Sequence, residues 1–306
     1  MKSDKSPNTP DMKKLFIPVL SLIAIFLLSS SNSRSQQPVA TTKAISELQV
    51  LAFQENGSQD NPKTKYELVW SDEFNYSGLP DSKKWSYDTG GNATGWGNNE
   101  AQYYTSARLK NSEVKGGNLY INAIKEDFEG KKYTSARLIT KSKGDWLYGR
   151  VEVRAKLPDG RGMWPAIWML PTVWTYGDWP ACGEIDIMEN VGYDPYVIVG
   201  SAHTELYNHM KGTHKNGKIT ISDCYTEFHN YILEWDASEY RVYVDSQLFF
   251  TYKNDGTGYR SWPFDKPFHL LLNVAVGGNW GGQKGIDDSI FPRSMVVDYV
   301  RVYQKK

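Results

Sequence analysis

The chain is short of the features that mark several common functional classes. Its 35 Lys and Arg balance its 35 Asp and Glu, so it lacks the basic excess that binds nucleic acids or anionic membranes. Its two cysteines, Cys182 and Cys224, are weak support for a disulfide, and their pairing stays open. Its five histidines show no Ser-His-Asp pattern, and His209 and His214 alone are too few ligands for zinc. No segment has long helical periodicity or an internal repeat, which argues against a helical fold.

What the chain has in quantity is aromatic side chains and short alternating segments. The 11 Trp and 20 Tyr favour a carbohydrate-binding surface, although β-sheet cores also use aromatic residues. From Tyr66 onward, runs such as 119–124, 149–157 and 295–303 alternate apolar and polar side chains between Gly, Pro, Asn and Asp turns. About a dozen such strands predict an all-β domain of two packed sheets.

The most informative stretch begins at Glu184 and reads Glu-Ile-Asp-Ile-Met-Glu. Side chains of a β-strand alternate between faces, so Glu184 and Asp186 share one face and the isoleucines point into a core. Strict alternation would put Met188 rather than Glu189 on the acid face, but a β-bulge at Ile187 or Met188 returns Glu189 to it. Close carboxylates drive their pKa values apart. One ionised nucleophile and one protonated acid are what glycoside hydrolysis requires.

An ordinary strand whose acids face solvent would show the same alternation, so the neighbouring residues matter. The segment before the acids carries Trp164 and Trp168. The apolar face of a pyranose ring packs on an indole, while carboxylates and amides bind its hydroxyls. The sequence therefore favours a sugar cleft. Trp174, Tyr176 and Trp179 lie between these tryptophans and the acids; they either line a subsite or simply pack.

The N-terminal residues predict export. A basic start at 12–14 precedes an apolar run at 15–28 and a small, polar stretch at 29–36, which is the pattern of a signal peptide. The apolar run is too short for a comfortable membrane span, although an uncleaved anchor helix is the alternative. We predict an export signal region at 1–36, a polar linker at 37–65 and one all-β domain at 66–306. The mature protein is then secreted, periplasmic or at the cell surface, and we expect a monomer without a membrane segment.

Several stretches appear in an order that resembles a known family. They are Trp-Ser-Asp-Glu-Phe at 70–74, Gly-Trp-Gly-Asn-Asn-Glu at 95–100, Trp-Pro-Ala-Ile-Trp-Met-Leu-Pro at 164–171, Gly-Glu-Ile-Asp-Ile-Met-Glu at 183–189, and Asp-Tyr-Val-Arg-Val-Tyr at 298–303. Together they are similar to the laminarinase branch of glycoside hydrolase family 16. The resemblance implies a β-jelly-roll of two curved antiparallel sheets with a concave substrate cleft. It also implies retaining hydrolysis of β-linked glucans or galactans.

The resemblance implies a role for each acid. Glu184 matches the nucleophile of the family and Glu189 matches its general acid/base. Asp186 matches the carboxylate between them, which assists the nucleophile and tunes the protonation of the set. Carboxyl separation distinguishes retaining from inverting hydrolysis, but the spacing along a bulged strand leaves both open. Only the resemblance favours retention.

The resemblance also implies residues that bind the substrate and a metal. Positions that match cleft residues of the family are Asn98, Arg137, Trp164, Trp168, His203 and Trp280. No cofactor is expected for catalysis. A structural calcium away from the chemistry is implied at Asp298, with backbone oxygens near Glu73 and Gly117, because calcium prefers oxygen ligands.

The leading prediction is a secreted endo-β-1,3-glucanase with β-1,3-glucan as its polysaccharide substrate. Met188 gives the bulged form of the acid motif, which the mixed-linkage lichenase branch lacks and which agarases and carrageenases share. The motif therefore does not exclude a marine galactan, and mixed-linkage β-glucan is a further alternative substrate. A non-catalytic carbohydrate-binding jelly-roll is the competing class. It does not explain why all three acids are present.

Overall fold

The computed structural model describes residues 65–306, so the predicted signal region and nearly all of the predicted linker lie outside the described residues. The described part contains 18 strands and two short 3₁₀ helices, Asn92–Gly97 and His209–Lys211. In chain order the strands are β1 (Tyr66–Asp72), β2 (Ser86–Tyr87), β3 (Gln102–Tyr104), β4 (Ser112–Lys115), β5 (Asn118–Phe128), β6 (Lys131–Ser135), β7 (Arg137–Ile139), β8 (Asp145–Trp146), β9 (Gly149–Lys156), β10 (Met163–Pro171), β11 (Glu184–Glu189), β12 (Val197–His203), β13 (Lys215–Thr220), β14 (His229–Trp235), β15 (Glu239–Val244), β16 (Gln247–Lys253), β17 (Phe268–Val276) and β18 (Arg293–Lys305). Neither helix of this part is long and apolar enough to cross a membrane.

The strands form two sheets in which nearly all neighbours run antiparallel. One sheet has ten strands in the order β16-β15-β14-β9-β18-β5-β6-β3, with β1 beside β18 and β4 beside β5. The other has eight strands in the order β13-β12-β11-β10-β17-β7-β2, with β8 beside β17. Only β3 and β6 pair in parallel among the strands of residues 65–306. The prediction of an all-β fold with two packed sheets is confirmed.

The core lies between the sheets and is built from the inward positions of alternating strands. In β9, Val151, Val153 and Ala155 are buried and the residues between them are partly exposed, as the period-two pattern predicts. β17 differs because all nine of its residues are buried. Its side chains are covered on both faces, which explains why this strand reads as an almost continuous apolar run.

Both cysteines are buried free thiols. Cys182 lies in the turn before β11, and Cys224 follows β13. Cys224 belongs to the hydrophobic core cluster. Because neither sulfur is bonded to another, the question that the sequence left open is answered in favour of free cysteines. Packing between the two sheets, rather than a cross-link, stabilises this part of the chain.

Candidate active site

A β-bulge in β11 brings the three predicted acids to the face that points away from the core. Against β10, Met188 pairs with Ile167 and Asp186 pairs with Trp168, so Ile187 is the extra residue. The register against β12 shifts at the same place. Ile187 and Met188 are both fully buried in the hydrophobic core. The predicted bulge is confirmed, and its effect is to keep three acids on one surface.

Gly183 allows the chain to enter β11 in the position that Glu184 needs. Its φ is +87°, a conformation that glycine adopts without cost. A Cβ here would lie 2.6 Å from Pro263 Cγ and 3.2 Å from Phe264 Cε1. Any other residue would therefore strain the backbone and displace the loop that packs against it.

Two indole N–H groups hold the outer acids of the row. Trp179 Nε1 donates to Glu184 Oε2 at 3.0 Å. Trp164 Nε1 donates to Glu189 Oε1, also at 3.0 Å. An N–H donor stabilises an ionised carboxylate and fixes its direction. Both outer glutamates are thus oriented by rigid side chains before any substrate binds.

Asp186, between them, is almost completely buried, with 2% of its surface exposed. Its Oδ2 atom has no hydrogen-bond partner within the described structure. His203 Nε2 lies 3.4 Å from this atom and 3.8 Å from Glu184 Oε1. One ligand atom from each of these three side chains falls within 4.8 Å of the others, a donor set that could also hold a metal ion.

Burial is the main reason that the acids of the row resist ionisation. Burial, followed by the charge of Asp186, raises the pKa of Glu184 to about 7. Burial also raises the pKa of Asp186. The pKa of Glu189 is raised well above its usual value, first by burial and then by the charges of Asp186 and Glu184. The three acids therefore titrate as one coupled set, in which Glu189 is an acid that keeps its proton.

The predicted aromatic residues lie on the β10 side of the acids. Trp164 and Trp168 are on the same face of β10 as the acids of β11, because Trp168 pairs with Asp186. Trp168 Nε1 donates to Asn273 Oδ1 at 2.7 Å. The ring of Trp280 meets the ring of Trp164 edge to face at 5.5 Å. The structure thus brings all three predicted tryptophans to one side of the acid row.

Arg137 stands farther along the same side, in β7. Its guanidinium lies between two indoles, 4.3 Å from the ring centroid of Trp96 and 4.6 Å from that of Trp168. Its Nε is 3.2 Å from Asp88 Oδ2. Stacking on both faces holds the guanidinium in one plane. This position agrees with the prediction that Arg137 lines the cleft, but no pattern in the sequence identifies Trp96 as its partner.

Asn98 belongs to a loop that is tied to the Trp280 loop. The backbone N–H of Asn279 donates to the carbonyl of Asn98 at 2.7 Å, and the side chains of Asn99 and Asn279 are joined at 2.8 Å. Glu100, which the sequence did not single out, is buried here and accepts from Gln102 Nε2 at 2.6 Å. Burial raises the pKa of Glu100. The two loops therefore form one wall beside the tryptophans.

The other side of the acid row holds a cluster that the sequence did not assemble. His203 meets His209 at 5.3 Å between ring centroids and stacks on His214 at 5.6 Å. The ring centroids of Trp179 and His209 are 5.1 Å apart. Burial, and then the charge of His203, lower the pKa values of His209 and His214. Only strand register and loop packing bring these residues together, so spacing in the sequence carries no signal for them.

Trp179, Tyr176 and Trp174 have different positions, although the sequence grouped them. Trp179 belongs to the site through its bond to Glu184. Tyr176 instead stacks on Tyr259, with ring centroids 4.7 Å apart. Trp174 is 43% exposed. Of the two alternatives left open, the site role applies to Trp179 and simple packing applies to Tyr176.

The one carboxylate predicted to hold calcium is paired with an arginine. Asp298 is the extra residue of a bulge in β18, and its Oδ2 accepts from Arg154 Nη1 at 2.6 Å. Glu73 pairs with Arg301 through both carboxylate oxygens, at 2.9 and 2.8 Å. Gly117 lies in the turn between β4 and β5. Asp298 is the one carboxylate of the predicted site, because Glu73 and Gly117 were expected to contribute backbone oxygens, and the calcium stays a prediction.

Comparison with known proteins gives a consistent result. The family model "Glycosyl hydrolases family 16" matches residues 96–301. The chain is 55% identical over 256 residues to a beta-glucanase of Rhodothermus marinus, covering 81% of this chain and 89% of that protein. The solved laminarinase of Rhodothermus marinus matches with a TM-score of 0.78 at 54% identity, covering 79% of this chain and 99% of that chain. The laminarinase catalytic domain of Thermotoga maritima matches with a TM-score of 0.71 at 41% identity, covering 79% of this chain and 99% of that chain.

Proposed function

The chain belongs to glycoside hydrolase family 16, and on that premise we propose that it cleaves β-1,3-glucan internally by a retaining, two-step reaction. One observation carries the proposal. The bulge in β11 places Glu184, Asp186 and Glu189 on one face of the eight-stranded sheet, beside Trp164 and Trp168. Acids that hold and release protons, next to flat apolar surfaces, suit hydrolysis of a polysaccharide.

At the start of the first step, Asp186 and Glu189 each carry a proton and Glu184 is ionised. Asp186 lies two residues from Glu184 on the same face, and the raised pKa values of both acids mean that the pair retains a proton near neutral pH. That proton resides on Asp186 when Glu184 attacks the anomeric carbon of the donor sugar. Glu189 gives its own proton to the glycosidic oxygen as the C1–O bond breaks. A glycosyl ester on Glu184 and a free reducing-side chain result.

In the second step the ionised Glu189 acts as a base. It takes a proton from a water molecule that attacks the anomeric carbon, and the ester bond to Glu184 breaks. Two inversions return the original β configuration. Glu189 is protonated again and Glu184 is again an anion, so the acids end as they began. The carboxylates supply all of this chemistry and no cofactor takes part.

The side chains on the β10 side suit the sugar units that form the ester. Trp164 and Trp168 offer indole surfaces, and Arg137 is held between two rings, with N–H groups that suit sugar hydroxyls as acceptors. His203 stands at the acids themselves, within 3.8 Å of Glu184. Positions fixed before binding reduce the entropy cost of ordering the substrate.

The test is a reducing-sugar assay of wild type and Glu184→Gln on laminarin, lichenan, agarose and carrageenan. We expect turnover of laminarin by wild type and loss of most of it in the variant. A preference for lichenan, agarose or carrageenan would move the substrate to one of the alternatives. Binding of laminarin with no turnover by wild type would indicate a binding module instead. Proton NMR of the first product distinguishes retention from inversion, and an initial α-anomer would refute the two-step reaction.

We also propose that the protein is exported and acts as a monomer. The support for export is the basic start at 12–14 followed by the apolar run at 15–28. Expression with and without residues 1–36, followed by N-terminal sequencing of protein outside the cytoplasm, tests export. Light scattering of the purified protein tests the monomer.

A further inference from the structure

We propose that the outer face of β13 binds the sugar units on the reducing side of the cleavage point through Asn216 and Lys218. This inference rests on the proposed function, since it concerns the same polysaccharide. It adds a binding surface that neither the sequence motifs nor the acid row identify. We call His214, Asn216 and Lys218 the acceptor strip.

Strand register places the acceptor strip on the same face as the acids. Directly paired residues of antiparallel neighbours lie side by side on one face of a sheet. Two rows that cross β11, β12 and β13 are Asp186–Ser201–Asn216 and Glu189–Val199–Lys218. The third member of the strip, His214, stacks on His203, with ring centroids 5.6 Å apart and planes at 13°. Asn216 is therefore in line with Asp186, and Lys218 is in line with Glu189. Glu184 pairs with His203, on which His214 stacks.

The acceptor strip lies on the side opposite the predicted sugar-binding tryptophans. In the eight-stranded sheet, β12 and β13 stand on one side of β11, while β10, β17 and β7 stand on the other. Trp164, Trp168 and Arg137 occupy the second side. Neighbouring strands are about 4.8 Å apart, so β13 is roughly 10 Å from β11. A glucan that fills the tryptophan side and continues past the acids therefore meets β13.

The side chains of the strip are free to bind. Asn216 and Lys218 are exposed, and neither side chain makes a hydrogen bond or ion pair with another residue of 65–306. His214 Nδ1 is buried and has no hydrogen-bond partner within the same range. Exposed polar groups without partners, on the acid-bearing face of the sheet, fit a ligand with many hydroxyls.

The chemistry of the strip suits a neutral glucan. The Asn216 amide both donates and accepts, and the Lys218 ammonium donates to hydroxyl oxygens. A hydrogen bond contributes about 0.5–1.5 kcal/mol net, which corresponds to roughly a 2- to 13-fold change in rate constant when it acts in the transition state. The strip would hold the leaving chain while the glycosidic oxygen is protonated.

The experiment compares two substrates that differ only beyond the cleavage point. A β-1,3-linked glucose hexasaccharide occupies both sides of the acids. An aryl glycoside of the corresponding trisaccharide occupies the tryptophan side and has an aryl leaving group in place of sugar. For Asn216→Ala, Lys218→Ala and the double variant, kcat/KM is measured on both. We expect the loss on the hexasaccharide to exceed the loss on the aryl glycoside by about 3- to 10-fold for each single variant.

Lys215→Ala is the matched control, because Lys215 lies on the same strand but on the opposite face, paired with Ala202. We expect wild-type kcat/KM for this control on both substrates. Equal losses on both substrates, or no loss on the hexasaccharide, would overturn the acceptor strip. Thermal melting shows whether the variants are folded, and a misfolded variant is replaced by Asn216→Ser or Lys218→Gln. A wild-type protein that cleaves neither substrate would refute the proposed function itself.

Discussion

Replacing the proposed nucleophile by its neutral isostere, Glu184→Gln, should abolish activity and at the same time stabilise the protein at alkaline pH. Burial raises the pKa of Glu184 from an ordinary 4.5 to about 7 in the folded chain. A carboxyl whose folded pKa is raised contributes stability that is fully present below its unfolded pKa. That stability is lost as the pH rises through the folded pKa. Wild type should therefore lose stability between about pH 4.5 and 7.

The size of the effect follows from the shift. A difference of about 2.5 pKa units at roughly 1.36 kcal/mol each gives about 3 kcal/mol, which is an upper bound because the neighbouring acids titrate together with Glu184. Gln cannot ionise, so Glu184→Gln should gain up to this amount at pH 8 and almost nothing at pH 4. For a domain of this size, about 1 kcal/mol shifts Tm by roughly 2–4 °C. We expect Tm to rise by several degrees at pH 8.

The assay is a thermal melt of wild type and variant at several pH values from 4 to 9. Glu227→Gln is the control, because Glu227 is exposed and lies away from the acid row, and it should change Tm equally little at every pH. A Glu184→Gln variant that gains the same Tm at pH 4 as at pH 8, or that gains none at either, would contradict the view that the buried charge destabilises the fold.

Three further predictions concern single contacts. Trp179→Phe removes the N–H that donates to Glu184, and a hydrogen bond to a charged group is worth about 1.5–3 kcal/mol. kcat should fall at least about tenfold, and the ascending limb of the pH–rate profile should move to higher pH; an unmoved limb would exclude a role on the nucleophile. Asp186→Asn should lower kcat by about 10- to 100-fold with little change in KM, since it perturbs the shared proton rather than sugar binding; steady-state kinetics on laminarin decide this, and a change confined to KM would count against it. Removing calcium with EDTA should leave Tm unchanged, because Arg154 already neutralises Asp298; a Tm that rises on adding CaCl₂ would support the calcium prediction.

Local sequence was sufficient for the elements of the fold and for the acid row. Alternation in β9 and the acids of β11 depend only on neighbouring residues, so their faces could be assigned from the period of a strand. The bulge was predictable because strict alternation would place apolar Met188 on the acid face and charged Glu189 in the core. Short elements were harder, and β2 and β8, with two residues each, have too few positions to show a period. The residues predicted to bind calcium were assigned from the family resemblance. A resemblance of sequence motifs does not show that Arg154 forms an ion pair with Asp298.

The sequence by itself therefore determined that two sheets form and that three acids share a face, because alternation and bulging are local properties of a strand. Only the tertiary structure decided which side chains stand around those acids. Trp179 reaches Glu184 through a loop, Trp96 covers Arg137 from another loop, and His214 meets His203 through pairing of β12 with β13. These contacts join residues whose separation in the chain has no fixed period. They depend on strand order and loop packing, which short-range patterns do not encode.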